Sequence, residues 1–416
     1  MAATRSKPDI ARQVKSNLPQ SIAMNKAVIL GGVAAAAFLG PFTQTVYAPS
    51  LPELQDFFGV DTLLVNLTIS LFTAILALSN FVVGPAADRR GRRAVLLPGL
   101  VAFVLGSILC LSATSYSFFL AGRAVQAFGI STALLVAPTV VGDIFPPAER
   151  AQAMSVYQTV IFLGPVLGPL LGGVIAQQLG WRWSFALLSV AGAGVWFYNL
   201  RCLQETKPAV LAAAGHSLRP FVSVLVNRSA RSIILVGFSQ FYGYYVFLVF
   251  LPKLLTALSV FSTAVKGAMF APLTAGILAG IYVGHQWQKR WSRTRILASS
   301  SFLIGSNVLV LWLAVFAGAL TVPVLVALLL VYGVLLGCSL PVQSTILVNL
   351  FTKDRGTAVG AYNFFRFMGA AIGPIVGALV EAWFGVHAVI LSVAVLLGVS
   401  AVALRFSLYD PFEANV

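Results

Sequence analysis

Two arginines lie where a charge is least expected. Arg366 sits deep in an apolar stretch from Ala358 to Phe384, and Arg123 sits in another from Phe118 to Val141. They are the only basic residues within the hydrophobic spans, and no Asp or Glu lies mid-span to neutralise them. A charge at the centre of a bilayer costs at least ~3 kcal/mol. Keeping two implies a water-filled cavity or an ion partner inside the protein, and so points to a transporter. The chemistry on offer is recognition: a guanidinium can hold a carboxylate through two parallel hydrogen bonds.

The neighbours strengthen this reading. In Gly122-Arg123-Ala-Val-Gln126-Ala-Phe-Gly129, Arg123 and Gln126 are three apart and share a helix face, as do Tyr362, Asn363, Arg366 and Gly369. Each arginine either hydrogen-bonds backbone carbonyls as a structural element, or binds substrate or moves protons. Arginine stays charged, so Arg123 could relay a proton only with water or a neighbour. Other candidates for a cavity lining are Gln44, Tyr47, Tyr157, Gln158, Gln240, Tyr242, Tyr244, Tyr245 and Gln343. Tyrosines near span ends also serve as interfacial anchors.

The elements that hold these residues follow from composition. The chain is 59% hydrophobic and 9% charged, with mean hydropathy +0.91. A soluble domain carries about 25% charged residues, so this is an integral membrane protein. Its apolar segments are long enough for spanning helices rather than barrel strands. The expected fold is all-α, with twelve spans at roughly 27–49, 63–84, 94–113, 117–142, 152–177, 183–202, 231–252, 264–285, 295–317, 321–346, 356–380 and 385–405. The division is a tail (1–26), a six-helix bundle (27–202), a linker (203–230), a second six-helix bundle (231–405) and a tail (406–416).

A net charge of +15 invites a nucleic-acid reading, but the placement of the charges excludes it. With the amino terminus inside, the outer loops hold only Arg182, Lys253 and Lys266, while all other Lys and Arg except Arg123 and Arg366 lie on the inner side. That is the positive-inside pattern, with both termini cytoplasmic. The polar first 26 residues lack an apolar region with a cleavage site, so no secretory signal is expected. Cys110, Cys202 and Cys338 are scattered and read as packing residues.

The two halves repeat. At an offset of 205, Arg150, Tyr157, Gly164, Gly168, Pro169 and Gly172 match Arg355, Tyr362, Gly369, Gly373, Pro374 and Gly377. At an offset of 200, Leu51-Pro52 and Gly84 match Leu251-Pro252 and Gly284. Repeats of this kind place the substrate near the midplane, between halves that rock. The counterpart of Arg366 is Ile161, while Tyr157 and Gln158 match Tyr362 and Asn363. Only the second half places a charge on the shared scaffold, which favours a substrate or coupling role for Arg366.

Two further motifs read as gating elements. Gly84-Pro-Ala-Ala-Asp88-Arg89-Arg90-Gly91-Arg92-Arg93 offers tight turns and a carboxylate among arginines. It is expected to act as a latch centred on Asp88. Its second-half equivalent, Gly284 to Trp291, keeps the bases but loses the acid, so a weaker latch is expected there. Gly164-Pro165-Val-Leu-Gly168-Pro169-Leu-Leu-Gly172-Gly173 lines one helix face with glycines and bends at its prolines.

At these residues the chain resembles the major facilitator superfamily, and within it the twelve-span drug:proton antiporter branch. Asp88 to Arg93 looks like the family's loop motif, Gly122 to Gly129 its span-four motif, and Gly164 to Gly173 its antiporter signature. Tyr47 to Pro52 and Trp181 to Phe185 are also similar to that branch, and Asn363 to Ala370 resembles fungal exporters of drugs, polyamines or carboxylates. The resemblance implies the two-bundle fold, export of small organic molecules or drugs by alternating access, and proton antiport. One departure bears on coupling: every Asp and Glu lies at a span end or in a loop, so uniport or anion exchange stays open.

An enzyme is not expected. There is no metal-ligand cluster or phosphate-cradling loop, and His216, His285 and His387 lie far apart. No cofactor is expected. An ATP-driven pump lacks its nucleotide domain and an ion channel its filter. Two substrate classes remain for a transporter: amphipathic drugs, or a citrate-like organic anion held by Arg123 and Arg366. A non-transporting receptor or scaffold is a third alternative. The expected setting is a monomer in the plasma membrane bilayer.

Overall fold

The structure, a computed structural model, describes residues 26–207, 219–260, 262–288, 290–351 and 355–410. They form twelve helical spans long and apolar enough to cross a membrane, and no strand occurs among the described residues. A backbone in hydrocarbon must satisfy its own N–H and C=O groups, and a helix does so within one segment.

In the first half, span two is Thr62–Arg90, span three Arg92–Leu111, span four Tyr116–Ile144, span five Pro147–Leu179 and span six Arg182–Cys202. In the second half, span seven is Arg228–Ala257, span nine Arg293–Phe316, span ten Val322–Leu350, span eleven Arg355–Phe384 and span twelve Val386–Ser407. Spans one and eight are broken. Span one runs as Lys26–Thr45, a tight turn at Ala48–Ser50, then Leu51–Phe58; span eight as Thr263–Ala268, then Ala271–Trp287. Prolines stand in the first turn of the Ala48, Leu51 and Ala271 pieces. Proline lacks the N–H that a continuing helix needs and suits a first turn.

Several helices outrun the apolar stretches that announced them. Span five begins at Pro147 and span two continues to Arg90. Polar residues can extend a helix beyond the hydrocarbon at no desolvation cost, so apolar length marks only its middle. Between the bundles, a short helix, Arg219–Val226, interrupts the 203–230 segment, and its Phe221 stacks on Phe365 at 6.4 Å between ring centroids. Residues 208–218 and most of both tails lie outside the described residues.

The repeat is visible in the packing. A β-carbon at Gly164 of span five would sit 2.9 Å from the Phe42 amide and 3.3 Å from the Phe38 carbonyl of span one. Gly369 of span eleven abuts the Phe238 carbonyl, and Gly373 the Tyr242 carbonyl, of span seven. The equivalent helices in each half are thus joined by glycines that admit close backbone approach.

The halves meet through span two against span eleven and span five against span eight. The end of the bundle with Arg89 to Arg93 is its basic end, and the opposite end is the far end. The described hydrogen bonds that cross between halves lie towards the far end. Asn66 Nδ2 donates to the Pro374 carbonyl at 3.3 Å; Ser262 Oγ and the Ala264 amide donate to Gln177 Oε1 at 2.6 and 2.9 Å. A β-carbon at Gly173 would lie 2.8 Å from the Thr263 carbonyl. The far end is therefore pinched shut. By contrast, the described ion pairs at the basic end stay within one half: Lys26–Glu149 at 3.3 Å, Arg92–Asp143 at 3.1 Å and Arg293–Asp410 at 3.2 Å.

Candidate functional site

Arg123 is fully buried in span four, and among the described residues no carboxylate pairs with it. Its guanidinium carbon lies 4.2 Å from the Phe72 ring centroid, 4.6 Å from Tyr47 and 6.0 Å from Phe185. Nη1 donates to Gln126 Oε1, and Nε makes a long bond to the Thr68 carbonyl at 3.5 Å. Gln126 Nε2 in turn donates to Ser107 Oγ at 2.7 Å, and the Tyr47 hydroxyl pairs with Thr68 Oγ1 at 3.0 Å. A desolvated cation–π contact is worth about 2 kcal/mol. Two close ones offset much of the ~3 kcal/mol insertion cost without an acid. The three-residue spacing of Arg123 and Gln126 on one turn makes their bond possible.

Arg366 is held differently. It is half-buried in span eleven, 4.3 Å from the Phe241 ring centroid, 5.3 Å from Phe367 and 5.4 Å from Tyr362. The Tyr362 hydroxyl donates to Gln343 Oε1 at 3.0 Å. Gln343 Nε2 donates to Gln240 Oε1 at 2.8 Å, which also accepts from Ser339 Oγ at 2.9 Å. Tyr245 stacks on Phe241, with ring centroids 6.3 Å apart, and so stands behind the Arg366 box.

Three donors in this region are buried without a partner: Arg123 Nη2, Arg366 Nε and Gln240 Nε2. An unsatisfied buried donor costs about 1–3 kcal/mol, and more when charged. An acceptor oxygen on a small molecule would relieve that cost. Arg123 donates two hydrogen bonds and has no exposed surface; Arg366 is more accessible. The arrangement can thus grip an anionic or polar group at Arg366 and stack a planar apolar one on Phe241 and Phe367.

The other predicted lining residues lie outside these boxes. Gln44 and Tyr157 are buried, Asn363 is half-buried, and Gln158 is exposed on span five.

At the basic end the loop between spans two and three forms a clasp. Gly91 has φ +107°, a conformation open to glycine. Arg92 is buried; its Nε donates to Asp143 Oδ2 at 3.1 Å and its Nη1 to the Ala87 carbonyl at 2.9 Å. Glu205, just past span six, accepts the backbone N–H groups of Arg92 at 2.8 Å and Arg93 at 3.2 Å, and so caps span three. Burial pushes the Glu205 carboxyl upward, but N–H groups of Lys207, Arg92, Arg93 and Thr206 outweigh it and hold the carboxyl below its usual range. Lys207 Nζ donates to the Arg89 carbonyl at 2.8 Å, and Arg89 itself is exposed. The side chain of Asp88, on which the expected latch centres, lies outside the described residues, and Gly84 has open space beside it.

The second half has its own clasp. Asp410, past span twelve, pairs with Arg293 at 3.2 Å and accepts from Asn349 Nδ2 at 3.2 Å. The acid absent from Gly284 to Trp291 thus enters from the far side of the repeat, 205 positions after Glu205. The antiporter-like glycines act elsewhere. A β-carbon at Gly168 would overlap Thr45 and one at Gly172 the Val46 carbonyl of span one. Pro169 packs its carbonyl on Gly267 of span eight, and Pro165 is half-buried beside it. Pro169 and Gly173 thus join the far-end seal, while Gly168 and Gly172 pack span five on span one within the first half.

A family model of the Major Facilitator Superfamily matches residues 33–322 and 302–415. The chain belongs to the Major Facilitator Superfamily, a family of membrane transporters. Its relatives include the Multidrug resistance protein MdtL of Shigella dysenteriae serotype 1, 30% identical over 202 residues, which cover 49% of this chain and 51% of MdtL. An uncharacterized transporter of Rickettsia bellii is 26% identical over 251 residues, covering 59% of this chain and 62% of that one. The chain spans about half the length of the MdtL proteins it matches. Among solved structures, a D-xylose–proton symporter superposes with TM-score 0.79 at 15% identity, covering 93% of this chain and 98% of that one. The human organic anion transporter MFSD10 superposes with TM-score 0.67 at 20% identity, covering 91% and 99%. Both share the superfamily fold.

Sequence reasoning missed Thr68, Phe72, Ser107, Phe241, Ser339 and Glu205. Ser339 is four residues before Gln343 on one helix face, a spacing that could have drawn attention. Phe241 and Phe72 carry no such mark in a chain with 30 phenylalanines.

Proposed function

We propose that this superfamily member is a secondary active transporter that exports small amphipathic organic molecules by alternating access. The observation that carries the reading is the half-buried Arg366, boxed by Phe241, Phe367 and Tyr362 beside the unpaired Gln240 Nε2. Likeness to proteins named for multidrug resistance supports export. The lining residues are Arg366, Tyr362, Gln343, Gln240, Tyr245, Tyr47, Arg123 and Gln126. The positive-inside pattern supports a cytoplasmic basic end and cytoplasmic termini; the membrane we assign is the plasma membrane. On that orientation the far-end seal corresponds to a state closed to the outside. Substrate then enters from the cytoplasm, the clasps re-form against the opposing half as the inside closes, and the seal at Gln177 and Ser262 opens. The unit is a monomer.

A second substrate reading, a carboxylate-bearing organic anion, is favoured by the unpaired guanidinium N–H groups of Arg123 and Arg366. Proton antiport follows from the resemblance, but no acid lies mid-span to carry the proton.

Proteoliposomes loaded with a fluorescent amphipathic dye or with citrate test these readings, with and without a pH gradient. Dye efflux faster than from empty liposomes supports the first and citrate efflux the second. If neither moves, the transport reading gives way to a receptor or scaffold. Flux indifferent to the pH gradient removes proton coupling.

A further inference from the structure

The basic end carries a second arginine pair, on the outer surface of the second half. A cavity of about 330 Å3 opens between the start of span seven and the end of span twelve, lined by Arg228, Arg231, Ser232, Leu235, Ala403 and Phe406. The span-seven residues fall at intervals of three and four, so they form one helix face. Both arginines are exposed, and among the described residues neither has a carboxylate partner. The described acids of this end are engaged elsewhere: Asp143 with Arg92, Glu149 with Lys26, Glu205 at the cap of span three and Asp410 with Arg293.

We propose that this groove binds the phosphate-bearing headgroup of an anionic phospholipid. Three features fit that ligand together. The arginine fork matches a phosphate bidentately. The first turn of span seven adds the positive end of a 30-residue helix. Leu235 lies seven residues further along the span, about 10 Å deeper at 1.5 Å per residue. It faces Ala403 and offers an apolar track for an acyl chain. Phe406 is 73% exposed at the mouth, where an aromatic ring sits well beside a headgroup. A free anion would use the arginines but not the track, and a neutral lipid the track but not the arginines. Because Ser229 Oγ holds the Tyr409 backbone at 3.0 and 3.1 Å next to this groove, a lipid there would brace the segment that carries Asp410.

The test uses the full-length protein, delipidated in detergent and offered phosphatidylglycerol, phosphatidylcholine or inorganic phosphate, with retained lipid read by native mass spectrometry. Phosphatidylglycerol should be kept in preference to phosphatidylcholine, and inorganic phosphate should not displace it. The double variant Arg228→Gln with Arg231→Gln should reduce that preference by roughly thirtyfold, and each single variant by about fivefold. Arg228→Lys with Arg231→Lys, which keeps the charge and loses the fork, should give a preference between those of the wild type and the glutamine variant. The single variants carry the test if the double variant does not fold. Equal retention of the two lipids, or a preference unchanged by the glutamine variants, overturns the proposal. Displacement by phosphate alone replaces it with a free-anion site.

Discussion

At the scale of single residues, the two arginines solve one problem in two ways. Arg123 is walled in by Tyr47 and Phe72 and tied to Gln126, which suits a fixed positive field. Arg366 keeps an unpaired Nε and partial exposure, which suits a contact made and broken in each cycle. Gln126→Ala should therefore act mainly on stability, costing about 2–3 kcal/mol by leaving a buried guanidinium N–H unpaired; a lowered melting temperature in detergent checks this. Glu205 makes a pH prediction. Its carboxyl titrates below the usual range when folded, so its stabilisation is present at neutral pH and is lost as pH falls through that depressed value. The melting temperatures of wild type and Glu205→Gln should differ at pH 7 and converge as pH drops below about 4. A gap that widens with acid would contradict the cap. The charged positions were legible because a charge inside an apolar run stands out. Their aromatic walls were not, because Phe72 and Phe241 look like any lipid-facing phenylalanine.

At the scale of elements, glycine spacing decides how closely helices approach. Gly172→Ala would drive a β-carbon into the Val46 carbonyl, a backbone atom that cannot swing aside. We expect a loss of more than about 2 kcal/mol, seen as poor folding or a lower melting temperature. Gly84→Ala meets nothing within 4 Å and should leave stability nearly unchanged. The pair separates close packing from mere helix propensity. All twelve spans were readable from apolar length, and the equivalence of spans five and eleven from the repeat of Gly164 and Gly369. The breaks in spans one and eight were not. Pro49, Pro52 and Pro272 lie in apolar runs, and proline alone does not distinguish a bend from a new start.

At the scale of the whole molecule, two clasps hold each half together at the basic end and a seal joins the halves at the far end. Glu205 and Asp410 come from segments more than a hundred residues from their partners Arg92 and Arg293. Nothing local in the sequence links them; only the fold does. The seal predicts that a thiol-specific cross-link between Gln177→Cys and Ser262→Cys, whose parent side chains touch at 2.6 Å, should stop transport until it is reduced. Continued flux in the cross-linked protein would mean that the far end need not open.

The central claim is that Arg366 receives the substrate through its planar fork. Flux through proteoliposomes containing wild type, Arg366→Lys or Arg366→Ala tests it most directly. Arg366→Lys keeps the charge and loses the fork, so the account predicts a fall of about tenfold to a hundredfold, close to that of Arg366→Ala, with both variants melting near the wild-type temperature. Wild-type flux in Arg366→Ala, for the dye and the carboxylate alike, would contradict it.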